Sequence, residues 1–127
     1  AEVGVPRAGW DFSDGSGMSI YNRVTPRTVA RLLRWTSQKP WAQAFRDTLP
    51  IGGVDGTLRR RFAGTALEGR IFAKTGTLTA VNGLSGFMLT KSGKMLIFSA
   101  FANYRPSEAG SAIAAMDAAL VEISETN

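Results

Sequence analysis

The sequence predicts an α+β fold: an antiparallel sheet of about three strands, covered by helices. Three observations predict it. Val29, Leu32, Leu33 and Thr36 fall on one helical face, as do Ile113, Met116, Leu120 and Ile123. Two apolar runs, Leu84–Thr90 and Met95–Ala102, flank the short polar connection Lys91-Ser92-Gly93-Lys94, where a glycine suits a β-hairpin. Ile71–Thr75 supplies a further strand, so the order is helices, a strand, a hairpin, then a terminal helix.

The elements follow in chain order. Trp10–Asn22 is rich in Asp, Ser and Gly and reads as loop. Thr25-Pro26 then starts a helix, with a capping hydroxyl and proline in the first turn; Pro40 stops it. A short amphipathic segment covers Trp41–Leu49, and Pro50–Thr57 returns to loop. Leu58–Phe62 is expected to form a helical turn projecting Arg59, Arg60 and Arg61. Met95–Phe101 is apolar on both faces, which predicts a strand central in its sheet. Pro106-Ser107 is expected to open the last helix, with Ser107 as N-cap and Glu108 near the positive end of the helix dipole.

Composition narrows the chemistry. The chain has 127 residues, the size of one small domain or part of a larger one, and no apolar run long enough to span a bilayer. With no cysteine there is no disulfide, thiol nucleophile or Cys-ligated metal. With no histidine there is no Ser-His-Asp triad and none of the commonest zinc sites. Any acid–base work falls to lysine, tyrosine or carboxylates. No metal or cofactor is expected. The formal charge of +5 raises the question of an anionic partner. The N-terminus lacks an initiator Met and any signal-peptide pattern, so the chain reads as mature or cut from something longer.

One short segment carries a chemical expectation: Lys74-Thr75-Gly76-Thr77, at the end of the strand from Ile71. If it edges a cleft, Lys74 places a fixed positive charge beside an anionic substrate terminus or a nearby hydroxyl. Thr75 and Thr77 offer hydroxyls to the same carboxylate. Gly76 lets a peptide lie against the strand and extend the sheet. A backbone N–H here can face a developing oxyanion. Together these roles hold the C-terminal end of a peptide for acyl transfer. The plainer alternative is a strand running into a turn, with the lysine solvated.

The segment resembles the third signature of the penicillin-recognising enzymes, whose other two are Ser-x-x-Lys and Ser-x-Asn. Its surroundings are similar to the S13-type D-Ala-D-Ala carboxypeptidases/endopeptidases among the low-molecular-mass penicillin-binding proteins. Asp14-Gly15-Ser16-Gly17-Met18-Ser19 resembles their D-G-S-G-L-S stretch, and Leu49–Leu58 their L-P-x-x-G-x-D-G-T-L loop. Lys74-Thr75-Gly76-Thr77-Leu78 and Leu84-Ser85-Gly86-Phe87 resemble their K-T-G-[ST]-L and L-[SA]-G-[FY] pair. The matches run in family order from about Asp11 to Phe101.

The resemblance implies the C-terminal part of a single β-lactamase/transpeptidase-like catalytic domain over 1–127. Neither Ser-x-x-Lys nor Ser-x-Asn occurs; in the family both lie upstream of the Asp-Gly-Ser-Gly stretch. It further implies a serine-type carboxypeptidase acting on peptidoglycan stem peptides through an acyl-enzyme, in an exported, periplasmic protein that binds β-lactams. Lys74 and Thr77 would carry the catalytic contribution of this chain, and Lys74, Thr75, Gly76 and Thr77 the substrate contacts. The chain alone is expected to be inactive and to associate with the missing N-terminal part.

Other candidates have structural readings beside the functional ones. Asp14 and Ser16 suit an Asx-type turn, and Asp55 a loop turn. Thr36-Ser37-Gln38-Lys39 fits a relaxed Thr-x-x-Lys pattern but lies at a helix end and reads as coincidence. Arg59-Arg60-Arg61 reads as a solvated turn; nucleic acid is disfavoured because no aromatics interleave with the basic run. Trp10, Trp35 and Trp41 suit packing better than a carbohydrate platform. Two rival functions remain: a β-lactamase or esterase of the same fold, and a basic non-enzymatic module for an anionic polymer.

Overall fold

A computed structural model describes residues 2–79, 81–104 and 111–127. Two short strands, β1 (Trp10–Asp11) and β2 (Arg23–Val24), pair to close the first loop at its base. Helices α1 (Pro26–Ser37) and α2 (Ala42–Asp47) follow, then a 3₁₀ turn at Gly56–Leu58. Strands β3 (Ile71–Leu78), β4 (Val81–Leu89) and β5 (Met95–Asn103) form an antiparallel sheet in the order β3-β4-β5, and helix α3 (Ala112–Thr126) ends the chain.

Helix α1 starts as its sequence dictates: Thr25 Oγ1 accepts the Thr28 N–H at 3.2 Å, and Pro26 occupies the first turn. Leu33 and Thr36 are buried, whereas Leu32, expected on that face, is 44% exposed. The hairpin between β4 and β5 turns through Lys91–Lys94, with Gly93 at φ +87°. A side chain rarely adopts that conformation, and glycine does so without a steric penalty.

Strand pleating divides the sheet into two faces. Ile71, Ala73, Leu84, Met88 and Phe98 share one, where they join Leu58, Phe62, Leu67 and Leu120 in the main core. Ile71 and Leu84 are fully buried, each worth roughly 1.5–3 kcal/mol against exposure. Phe72, Lys74, Ser85, Phe87 and Ile97 lie on the other face; Arg46 of α2 stacks over Phe72 there at 6.0 Å. Helices therefore cover both faces, with α1 against β4 and β5 and α3 against β4.

Four details differ from expectation. Strand β3 continues to Leu78, so the Lys-Thr-Gly segment lies inside the strand and not at its end. Strand β4 occupies the middle of the sheet and β5 an edge, because three consecutive strands joined by short connections place the second between the others. The helical turn is 3₁₀ and lies at Gly56–Leu58, ahead of the arginines. On α3 the packed face holds Asp117, Leu120, Val121 and Ser124, while Ile123 is 42% exposed. Two polar groups belong to that face because each is satisfied: Asp117 pairs with Arg61, and the Ser124 hydroxyl donates to the Val121 carbonyl at 2.8 Å. The capping expected of Pro106-Ser107 falls outside the described residues; α3 begins at Ala112, with Ser111 Oγ accepting the Ala114 N–H at 3.2 Å.

Candidate active site

The edge of β3 away from β4 changes character along its length. The Gly52 N–H donates to the Ile71 carbonyl at 2.9 Å, and the Ala73 N–H donates to the Pro50 carbonyl at 3.0 Å. Successive residues point their backbone groups to opposite sides of a strand. Because residues 71 and 73 face outward, so do 75 and 77, while Lys74 and Gly76 pair with Ser85 and Gly83 of β4. Among the described residues no strand covers the edge beyond Ala73. The N–H and C=O groups of Thr75 and Thr77 are thus presented at an open edge, where an extended peptide can add as a strand.

The side chains meet at that edge from two sides. Lys74 is exposed, and its Nζ donates to the Thr75 carbonyl at 2.7 Å, placing the ammonium against the open backbone. Thr75 leaves the opposite face, where its Oγ1 lies 3.0 Å from Thr57 Oγ1. Thr77 is exposed; Asn82 Nδ2 donates to its hydroxyl at 3.5 Å. A β-carbon at Gly76 would meet nothing within 4 Å, so the space beside it is free. On the Lys74 face the row continues through Ser85, whose Oγ lies 2.9 Å from Ser99 Oγ on β5. The four expected residues are therefore contiguous along one open edge, with Lys74 and Thr75 reaching it from opposite faces.

Thr57 was not singled out from the sequence. Its position in Asp55-Gly56-Thr57-Leu58, within a stretch that resembles the family loop, was the available signal. The loop carrying it is rigidly built: Asp55 Oδ1 accepts the Ile51 N–H at 2.7 Å, the Gly53 N–H reaches the Leu58 carbonyl at 3.1 Å, and Leu58 is fully buried. Asp55 accordingly holds a turn.

The remaining candidates have structural roles in this chain. Asp14 Oδ1 accepts the Ser16 hydroxyl at 2.8 Å and the Ser16 N–H at 3.0 Å, an Asx turn, and Asn22 clamps the loop from across it. The Ser16 side chain, then its N–H, hold the Asp14 carboxyl below its ordinary range; desolvation opposes this weakly and Asn22 adds to it. Thr36 Oγ1 is spent on the Leu33 carbonyl at 2.8 Å, and Lys39 Nζ sits over the Trp35 ring at 4.2 Å, so Thr-x-x-Lys is no catalytic pair. Arg59 and Arg60 are exposed, but Arg61 is not solvated: its guanidinium makes a two-pronged ion pair with Asp117. Trp35 and Trp41 pack edge-to-face at 5.8 Å. Two surface clefts lie elsewhere, one bounded by Arg7, Trp10 and Arg23, the other by Arg46, Phe87 and Ile97. No helix among the described residues is long and apolar enough to cross a membrane.

The sheet with helices on both faces matches part of the fold of a penicillin-binding protein. Superposition on penicillin-binding protein 4 (dacB) from Haemophilus influenzae gives a TM-score of 0.81 at 28% identity, covering 96% of this chain and 29% of that one. A further structure of that protein is of its complex with a β-lactam. Residues 1–123 match the D-Ala-D-Ala carboxypeptidase 3 (S13) family, and the chain belongs to that family. The chain is 40% identical over 129 residues to a D-alanyl-D-alanine carboxypeptidase of Actinomadura sp., covering 97% of this chain and 23% of the relative. It is 37% identical over 94 residues to D-alanyl-D-alanine carboxypeptidase DacB of Haemophilus influenzae, covering 72% of this chain and 20% of the relative. It thus spans about a quarter or less of these two relatives.

Proposed function

We propose that this chain supplies the Lys-Thr-Gly strand of a serine-type D-Ala-D-Ala carboxypeptidase acting on peptidoglycan stem peptides. The observation that carries the reading is the open β3 edge, where outward-facing Thr75 and Thr77 amides lie beside the Lys74 ammonium. A D-Ala-D-Ala terminus laid along this edge gains backbone pairing, and its carboxylate meets a cation and hydroxyl donors.

The nucleophile and its proton acceptor belong to an upstream portion carrying Ser-x-x-Lys and Ser-x-Asn, and residues 1–127 form the C-terminal part of the same catalytic domain. The serine oxygen bonds to the penultimate D-Ala carbonyl carbon, and its proton passes to the upstream lysine. The carbonyl oxygen becomes an oxyanion facing the Thr77 N–H. The tetrahedral intermediate collapses with cleavage of the C–N bond, and terminal D-Ala leaves with the proton. Water then hydrolyses the ester. Lys74 binds the carboxylate and stabilises the charge developing near the serine. The same steps cleave D-Ala cross-links in an endopeptidase, and a β-lactam acylates the serine because its ring mimics the dipeptide end. The protein works outside the cytoplasmic membrane, in the periplasm, where peptidoglycan lies.

The test is performed on the protein extended upstream to the length of its relatives. A diacyl-D-Ala-D-Ala peptide is expected to release D-alanine, and a fluorescent penicillin to label the protein durably. Rapid penicillin turnover without D-alanine release would make it a β-lactamase instead. Salt-sensitive binding to an anionic polymer, unchanged in Lys74→Ala and with no acylation, would make it a binding module.

A further inference from the structure

We infer that the outward face of α1 is a docking surface for a linear wall polymer of repeating phosphate groups; that it meets such a polymer rests on the exported carboxypeptidase reading above. Between Asp14 and Asp47 the sequence has no acidic residue, while Arg23, Arg27, Arg31, Arg34, Lys39 and Arg46 all fall there. At about 100° per residue, Arg27, Arg31 and Arg34 span only about 60° of the helix surface. That arc lies opposite buried Leu33 and Thr36, so the three arginines are exposed while the helix packs on β4 and β5.

These charges stand where they cost stability. Like charges three and four residues apart on a helix repel each other. The positive end of the helix dipole favours an acidic first turn, but α1 has no acidic residue there and carries Arg27 instead. Arg31 reaches the Gly4 carbonyl at 3.2 Å, yet among the described residues no carboxylate pairs with any of the three. Arg7 and Arg61, by contrast, each have an aspartate. A stripe that local electrostatics disfavours in the free chain is relieved when an external anion supplies the counter-charge.

Spacing and chemistry select the occupant. Helical rise sets successive arginines about 4.5–6 Å apart along the axis, so the occupant must carry charge at every short repeat. A phosphate on each polyol unit does so; stem-peptide carboxylates, separated by a disaccharide, do not. Each guanidinium can take a phosphate through paired N–H bonds. The arc holds no aromatic ring to stack on a nucleobase and no apolar side chain to enter a bilayer, which disfavours nucleic acid and membrane.

The experiment measures binding of the full-length protein to poly(glycerol phosphate) across a salt series, beside single-stranded DNA and phosphatidylglycerol vesicles. The triple variant Arg27→Gln, Arg31→Gln, Arg34→Gln should bind the polymer at least about tenfold more weakly. The slope of log K against log salt should fall by about 2, at about 0.7 for each phosphate no longer neutralised. Its acylation by penicillin should match wild type, and its melting temperature should not drop, because repulsion has been removed. A triple lysine variant, which keeps the charge, should bind within about threefold of wild type. Undiminished polymer binding by the folded glutamine variant overturns the inference, as does tighter binding of DNA or vesicles than of the polymer. Polymer binding through these arginines in a protein that penicillin does not acylate overturns the carboxypeptidase reading and leaves the surface standing.

Discussion

In a Gly86→Ala variant the added β-carbon would lie within contact of the Phe72 carbonyl oxygen, 2.6 Å from the Ala73 Cα and 2.8 Å from the Ala73 Cβ. Carbon atoms pack best at about 3.5–4.0 Å, so β3 must retreat from β4 by roughly 1 Å against a continuous hydrogen-bond ladder. Overpacking of this kind costs about 1–3 kcal/mol, and backbone on the receiving side favours the upper end. Alanine returns about 0.5–1 kcal/mol of the entropy that glycine loses in a strand. A net loss of about 2 kcal/mol is expected, lowering the melting temperature by roughly 8 °C for a domain of this size. Urea unfolding followed by tryptophan fluorescence should show a midpoint about 1 M lower with an unchanged slope. Gly76→Ala is the control, because its β-carbon meets nothing within 4 Å and the stability should not fall. It should instead weaken substrate binding, by standing where the peptide approaches the edge. A Gly86→Ala midpoint equal to wild type would refute the close-approach argument.

Two further outcomes follow from the side-chain contacts. Asp117→Ala should destabilise by about 1.5–3 kcal/mol, because it strands a largely covered Arg61 that now makes two bonds to the carboxylate; a double-mutant cycle with Arg61→Met should show positive coupling. The Asp14 carboxyl titrates below its ordinary range when folded, so its stabilising contribution is complete above the unfolded pKa and is lost as pH falls through the folded one. Ser16→Ala should raise that pKa, as read by carbon-detected NMR titration of the carboxyl group.

How much was legible in the sequence depended on the range of the interaction. The α1 start and the β4–β5 hairpin rest on local rules, Thr25-Pro26 and a glycine in a four-residue connection, and both are present. Residues 74–77 were legible as a motif, but not their division between two strand faces, which depends on register with β4. The position of β5 at an edge was hidden because its apolar pattern reports burial by covering helices and says nothing of which neighbour pairs with it. The apolar stripe of α3 placed Ile123 on the packed face, where the structure instead puts Asp117 and Ser124. Arg61, 56 residues away in sequence, is what makes Asp117 an inward residue. Thr57 escaped notice for the same reason: the hydroxyl that donates to it, that of Thr75, lies 18 residues further along the chain.

The role of the Lys74 cation at the open strand edge is read out by the rate constant for acylation by penicillin. In the full-length protein, Lys74→Ala should lower that constant by roughly 10²–10³-fold with the melting temperature unchanged, as expected for loss of preorganised positive charge. Acylation at the wild-type rate in a folded Lys74→Ala protein would show that this cation has no part in the chemistry.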